Sequence, residues 1–181
     1  MSNKPRICVA LFHRNAITVA EGAEERLGFA MYHWAILIRP KDIREIDHCT
    51  LIDATDGMNF DPVTHIDSNP THEWWFRVRT AIKPVSTASF LGALEIGKLP
   101  KSISVQQVVD QLSRIPLPRK HQLPDQNCAT WVYAAIETLQ QTGYVSATDV
   151  QRIMDASMAV AHGIMANGPP EKIKDRFQLL R

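Results

Sequence analysis

Phe29-Ala30-Met31-Tyr32-His33-Trp34-Ala35-Ile36-Leu37-Ile38 is apolar on both parities over ten residues, with one strongly polar side chain inside it. Apolar residues at every position, rather than at every second one, are what a strand covered on both faces needs. Arg39-Pro40 ends the run. Upstream, Ile7 to Phe12 is a shorter apolar strand candidate. Residues 14–28 between the two are small, polar and acidic, which predicts a loop or a short helix around Ala20–Arg26. Downstream, Cys49-Thr50-Leu51-Ile52-Asp53-Ala54 reads as a second short buried strand, and Thr55-Asp56-Gly57 punctuates it as a turn. After a polar loop with two prolines, Trp74 to Thr80 alternates. Trp74, Phe76 and Val78 share one face and Trp75, Arg77 and Arg79 the other, the pattern of a half-exposed strand. Trp74-Trp75 thus puts one indole on each sheet face. Phe90, Gly92, Leu94 and Ile96 predict a further strand. Strands joined by loops point to an antiparallel sheet.

After Lys101 the period changes. Ser104–Ser113 carries Val105, Val108, Val109 and Leu112 at helical spacing, closed by Pro116 and Pro118. A helix starts near Asn127, with Asn127 or Asp125 as its cap, and stops near Gly143. Ala147–Ala166 reads as another, broken by Asn167-Gly168-Pro169-Pro170 and followed by a charged tail, Lys172–Arg181. Strands first and helices last is the pattern of an α+β domain, a small antiparallel sheet packed against helices. The expectation is one domain over residues 1–181, mainly strands in 1–100 and mainly helices in 101–181.

Composition narrows the function classes. Of 181 residues, 45% are hydrophobic and 22% charged, and 20 Lys plus Arg against 19 Asp plus Glu leave a formal charge of +1. That balance excludes a nucleic-acid or polybasic membrane surface, and Arg77/Arg79 and Arg119/Lys120 read as solvated faces. Met1 to Arg6 followed by the short run Ile7–Phe12 lacks a secretory h-region and cleavage site. No stretch approaches the roughly 18–20 apolar residues of a membrane span. Three cysteines without a C-x-x-C pair fit neither a disulfide framework nor a structural zinc site. The setting expected is reducing and cytoplasmic, with no metal, no cofactor and no stable membrane anchor. The sequence carries no signal for oligomeric state.

The chemistry concentrates in three residues. Cys128 precedes Val132 by four on the stripe Val132, Ala135, Ile136 and Leu139, so it lies in the first helical turn and faces whatever the helix packs on. Free N–H groups and the positive helix end favour a thiolate there and can bind an oxyanion. A small buried hydrophobe is the bland alternative. His33, alone in its apolar run, shares a face with Met31, Ala35 and Leu37, and is costly there without a partner; a satisfied core histidine is its alternative. Asp53 is the lone charge in its strand, on the face of Leu51 and Cys49, and is otherwise a turn-forming aspartate. A thiol, an imidazole and an orienting carboxylate are the parts of a thiol acyl-transfer site.

Tyr32-His33-Trp34-Ala35-Ile36, then Leu51-Ile52-Asp53-Ala54, then Asn127-Cys128-Ala129-Thr130-Trp131-Val132 resemble the circularly permuted papain-like fold. The nearest pattern is that of the lecithin:retinol acyltransferase-like proteins, and more distantly that of the NlpC-type peptidases. In that group the histidine strand precedes the cysteine helix, the order found here. The resemblance covers residues 29–56 and 125–140 and implies a Cys128 nucleophile, a His33 base and an orienting Asp53. The acyltransferase-like members commonly have a second histidine where Asp53 stands, and many have an apolar C-terminal anchor where this chain is charged. These departures turn the expectation away from lipid.

The activity expected is hydrolysis or transfer through a Cys128 thioester, on an amide or ester of a small-molecule or peptide substrate. Asn127, Gln126 and Gln122, just before or beside Cys128, are candidates for contacts to substrate or oxyanion. Tyr32 and Trp34 are candidates for lining the cleft, with core packing as the alternative. Cys8 and Cys49 read as inert core thiols, and His48-Cys49 lacks matching metal ligands. Two other readings compete: a catalytically inactive binding or scaffold module, and a membrane-associated lipid acyltransferase or phospholipase. The latter would need residues 147–166 as an amphipathic anchor, although their polar face lacks basic enrichment.

Overall fold

The run around Trp34 becomes β2 (Tyr32–Arg39), which lies with β1 (Arg6–His13) in the interior of a sheet. The computed structural model describes residues 4–180; Met1–Asn3 and Arg181, including the first residues of the predicted N-terminal segment and the last of the charged tail, lie outside the described residues. The sheet has six strands in the order β4-β3-β2-β1-β5-β6, with β3 at Cys49–Thr55, β4 at Trp75–Ile82, β5 at Phe90–Lys98 and β6 at Phe177–Leu179. β1 pairs antiparallel with both β2 and β5, β2 with β3, and β3 with β4. Both faces of β1 and β2 are buried, which accounts for their continuous hydrophobicity.

The two faces have different covers. Ile7, Val9 and Leu11 with Trp34, Ile36, Ile38, Ile52 and Ala54 join the core beneath the helices. Cys8, Ala10 and Phe12 with Ala35, Leu37, Cys49 and Leu51 form a second cluster, closed by Ile43 and Ile46 from a 3-10 turn over 43–48 and by Val85 from another over 84–86. Burial pushes the Cys8 and Cys49 thiols up to about 12.

The helices are α1 (Ala23–Leu27), α2 (Val105–Leu112), α3 (Cys128–Gln141) and α4 (Val150–Asn167). Side-chain caps set three of their starts. Ser104 and Gln107 form a capping box on α2, Asn127 and Thr130 form one on α3, and Asp149 accepts from Gln151 N–H on α4. α3 packs on β2 and β3, and α4 on β5 and β1. The apolar face of α4 (Val150, Ile153, Met154, Val160, Ala161, Ile164) is therefore occupied by the protein's own core. Among the described residues no helix is long and apolar enough to cross a membrane.

Three expectations need correction. Residues 28–31 form a 3-10 turn and not the start of β2, because Arg14 donates to Ala30 O, Thr18 to Met31 O and the Trp34 indole to Phe29 O. Met31 consequently packs into the helix-side core and does not share the face of His33. The C-terminal tail is not merely a charged extension: β6 pairs parallel with Ala93–Glu95 of β5, so the sheet is mixed and one strand falls in the helical half. The Arg176 Nε donates to Leu91 O, and the Arg39 guanidinium lies 5.2 Å from the Phe177 ring centroid.

Close approach decides one glycine. A Cβ on Gly97 would stand 2.4 Å from Tyr144 O and 3.2 Å from Val145 Cα, both backbone, while one on Gly163 in α4 would meet nothing within 4 Å. Gly97→Ala is expected to destabilise by about 1–3 kcal/mol, the usual range for overpacking. Gly163→Ala should be neutral or gain up to about 1 kcal/mol of helix propensity. Urea unfolding of the two variants side by side checks both.

Candidate active site

The β2–β3 ladder runs from Ile38↔Thr50 to Ile36↔Ile52, whereas β3 stays on β4 through Asp53↔Arg77 and on to Thr55↔Trp75. Toward its start, then, β2 parts from β3. His33 stands on the parted stretch of β2 and Asp53 on that of β3, and their side chains bridge the gap: His33 Nε2 is 2.6 Å from Asp53 Oδ2. α3 brings Cys128 to the same fork. Its Sγ lies 3.7 Å from the carbonyl O of Tyr32, the residue next to His33, and the sulfur is near enough to the imidazole to favour its charged form. With Nε2 turned to Asp53, Nδ1 is the ring nitrogen left for the sulfur. Cys128 belongs to the helix-side core, whereas His33 follows the parity of the opposite face, with Ala35 and Leu37. They meet because no ladder fills the space between the strands there.

The helix start is specified locally. Asn127 Oδ1 accepts from the N–H groups of Ala129 (2.9 Å) and Thr130 (3.3 Å), and Thr130 Oγ1 accepts from Asn127 N–H. The Cys128 N–H takes no part in this cap. It belongs to the first residue of a fourteen-residue helix, at the positive end of the helix dipole.

Asp53 is wholly buried and satisfied from two sides. Arg77, its register partner on β4, donates from Nε to Oδ1 (3.0 Å) and from Nη2 to Oδ2 (2.6 Å). Burial alone would raise the carboxyl's pKa, but the hydrogen bonds from His33 and Arg77 outweigh it and hold Asp53 at about 2. Burial would likewise lower that of His33, yet Asp53 and the Cys128 thiol together lift it to about 9. Near neutral pH the group therefore holds an imidazolium, a carboxylate and a guanidinium, a net charge of +1 against the sulfur. Cys128 is 1% exposed and the His33 side chain 19%, so the imidazole is the part of the pair that meets solvent.

Cavities lie on both flanks of the helix start. One, of about 360 Å³, is walled by Leu27, Phe29, Asn127, Tyr133 and Met154. The other, of about 350 Å³, is walled by Ile115, Leu117, Gln122, Gln126 and Trp131. Gln122 and Gln126 thus flank the α3 start, with Gln126 Oε1 engaged by Arg119 N–H. The Asn127 carboxamide oxygen is committed to the cap. The side chains of Tyr32 and Trp34 are buried in the helix-side core, the packing role weighed as their alternative, and the Tyr32 carbonyl lies against the Cys128 sulfur.

Arg77 is the residue that the sequence reading missed. Taken as part of a solvated face, it is instead the clamp on a buried carboxylate. Arg79, two residues on, has a buried Nε without a hydrogen-bond partner. Alternation does place Arg77 on the face of Asp53, but the β3–β4 register that aligns them is not written within either strand. Lys120 is exposed, as that reading expects, and donates to Thr71 O at 2.7 Å, tying the loop before α3 to the loop before β4. Among the described residues no group of three or more His, Cys, Asp and Glu side chains is arranged to hold a metal ion.

Compared with known proteins, the chain is matched over residues 4–168 by the model of one family, described as a family of unknown function. No curated protein and no solved structure matches it.

Proposed function

The chain belongs to DUF6914, a family of unknown function, and from the geometry of its site we propose that it is a thiol acyl hydrolase or acyltransferase on a circularly permuted papain-like scaffold. Cys128 is the nucleophile, His33 the acid and base, and Asp53 the group that orients the imidazole. The observation carrying this reading is a helix-start thiol set against the backbone of Tyr32 beside His33, whose Nε2 is bonded to a buried carboxylate. A constellation with net charge +1 beside the sulfur is balanced by a thiolate, the reactive form. The chain order, histidine strand before cysteine helix, agrees with the permuted arrangement.

In the first step the Cys128 thiolate adds to an acyl carbon, and the carbonyl electron pair moves onto oxygen, to which the Cys128 N–H donates a hydrogen bond. His33 gives its proton to the leaving amine or alcohol as the acyl–heteroatom bond breaks, which leaves a thioester. His33 then takes a proton from water, the resulting hydroxide attacks the thioester, and the acid departs as thiolate and imidazolium are restored. An amine or alcohol in place of water makes the same cycle a transfer. The reading is of hydrolysis of an amide or ester in a small-molecule or peptide substrate.

The 1% exposure of Cys128 favours a second reading, a non-catalytic binding or scaffold module with a packed thiol. Iodoacetamide separates the two. At pH 6.5 the enzyme reading expects Cys128 to label about ten times faster than a free thiol, because a nucleophile is activated by the base beside it. Cys8 and Cys49, pushed up to about 12 by burial, serve as unreactive internal references in the same peptide map. Labelling of Cys128 no faster than that of the free thiol removes the enzyme reading and leaves the module.

A further inference from the structure

We infer that Arg77 is a positioning residue of the site: its two-pronged hydrogen bond fixes the Asp53 carboxylate on the rigid β3–β4 pair and thereby holds His33 against Cys128. This rests on the thiol-enzyme reading above and extends it by a fourth member, contributed by a fourth element.

The argument is geometric. His33 stands where β2, still paired with β1, has parted from β3, so no ladder to β3 fixes its distance from Asp53. Among the described residues His33 Nε2 has Asp53 Oδ2 as its partner, and a carboxylate held by that contact alone would be free to rotate about its side-chain bonds. Arg77 removes the freedom. Its Nε on Oδ1 and Nη2 on Oδ2 grip both oxygens, the planar fork matching a planar carboxylate. Arg77 is itself braced: Asp53↔Arg77 lies inside a continuous run of β3–β4 pairs, and its guanidinium lies 5.8 Å from the Trp75 ring centroid. Lysine would keep the charge and lose the fork.

The charged and titratable groups acting on the pair are Cys128 from α3, His33 from β2, Asp53 from β3, and Arg77 and Arg79 from β4. From β1, Phe12 faces the imidazole with a neutral ring at 6.2 Å. Without Arg77 the buried carboxyl loses its cation and two donors, so it protonates at higher pH. The imidazolium then loses its counter-charge in the acid range, and the thiolate with it.

The test is the pH profile of Cys128 alkylation by iodoacetamide, read by peptide mapping, in the full chain and in Arg77→Met, Arg77→Lys and Arg79→Met. Arg77→Met is expected to move the acid limb upward by about one pH unit or more, the scale of an arginine's effect on a neighbouring aspartate. Arg77→Lys should move it in the same direction by less, and Arg79→Met should leave it in place. An acid limb at the wild-type pH in Arg77→Lys overturns the inference, whether or not Arg77→Met yields folded protein. An equal shift in Arg79→Met overturns it too, since that would make the effect one of general charge and not of the fork. If wild-type Cys128 labels like an ordinary thiol with no acid limb near or below neutrality, it is the thiol-enzyme reading that fails.

Discussion

Cys128→Ser is expected to lower kcat/KM on a panel of amide and ester substrates by roughly 10⁴- to 10⁶-fold, the scale seen when a nucleophile that acts as a unit with its base is removed. The substitution exchanges sulfur for oxygen at a buried position, so the cap and the α3–β2 packing should survive. What it removes is the ionisable nucleophile, since a hydroxyl does not ionise beside this imidazolium as a thiol does. Intact mass spectrometry supplies a second readout. Wild type mixed with an activated ester should gain one acyl mass on Cys128, lost with hydroxylamine, and the serine variant should gain none. An acyl mass that persists on another residue, with turnover within tenfold of wild type, would sink the assignment.

Asp53→Ala is expected to be the most destabilising single change at the site, by about 3–5 kcal/mol, because removing one partner of a buried ion pair leaves the others uncompensated. Here the stranded groups are the guanidinium of Arg77 and the imidazole of His33, both partly buried. Denaturant unfolding of Asp53→Ala and of the milder Asp53→Asn measures the loss; an Asp53→Ala variant within 1 kcal/mol of wild type would contradict the clamped carboxylate. The pH dependence has two signs. Asp53 is depressed from 3.8 to about 2, so its contribution is full above 3.8 and fades as the pH falls toward 2. His33 is raised from 6.5 to about 9, so its contribution is full below 6.5 and fades as the pH climbs to about 9. Wild type should therefore lose stability between pH 6.5 and 9, and Asp53→Ala should lose less over that window.

Much of this architecture was legible in the chain because burial and period coincide in it. The double-faced hydrophobicity of β1 and β2, the alternation of β4 and the helical spacing of α2 to α4 each follow from what covers them. Residues 28–31 misled because Phe29, Ala30 and Met31 continue the apolar run of β2 without a break, although Met31 alone of the turn is fully buried. β6 was hidden by its three-residue length and by a partner more than eighty positions upstream. At the site, Cys128, His33 and Asp53 stand out as ionisable groups in apolar surroundings, a local signal. Arg77 does not, since its meaning lies in a cross-strand register that no single segment encodes.

The fork between β2 and β3 has a mechanical consequence. Sulfur and imidazole arrive from opposite sides of a single sheet, so their spacing is governed by how far the two strands splay, with β3 and β4 moving as one lever. Ile36 and Ile52, the last pair before that split and remote from solvent, act as its fulcrum. The reach between thiol and ring is thus tuned from inside the hydrophobic interior, by residues that never touch a substrate.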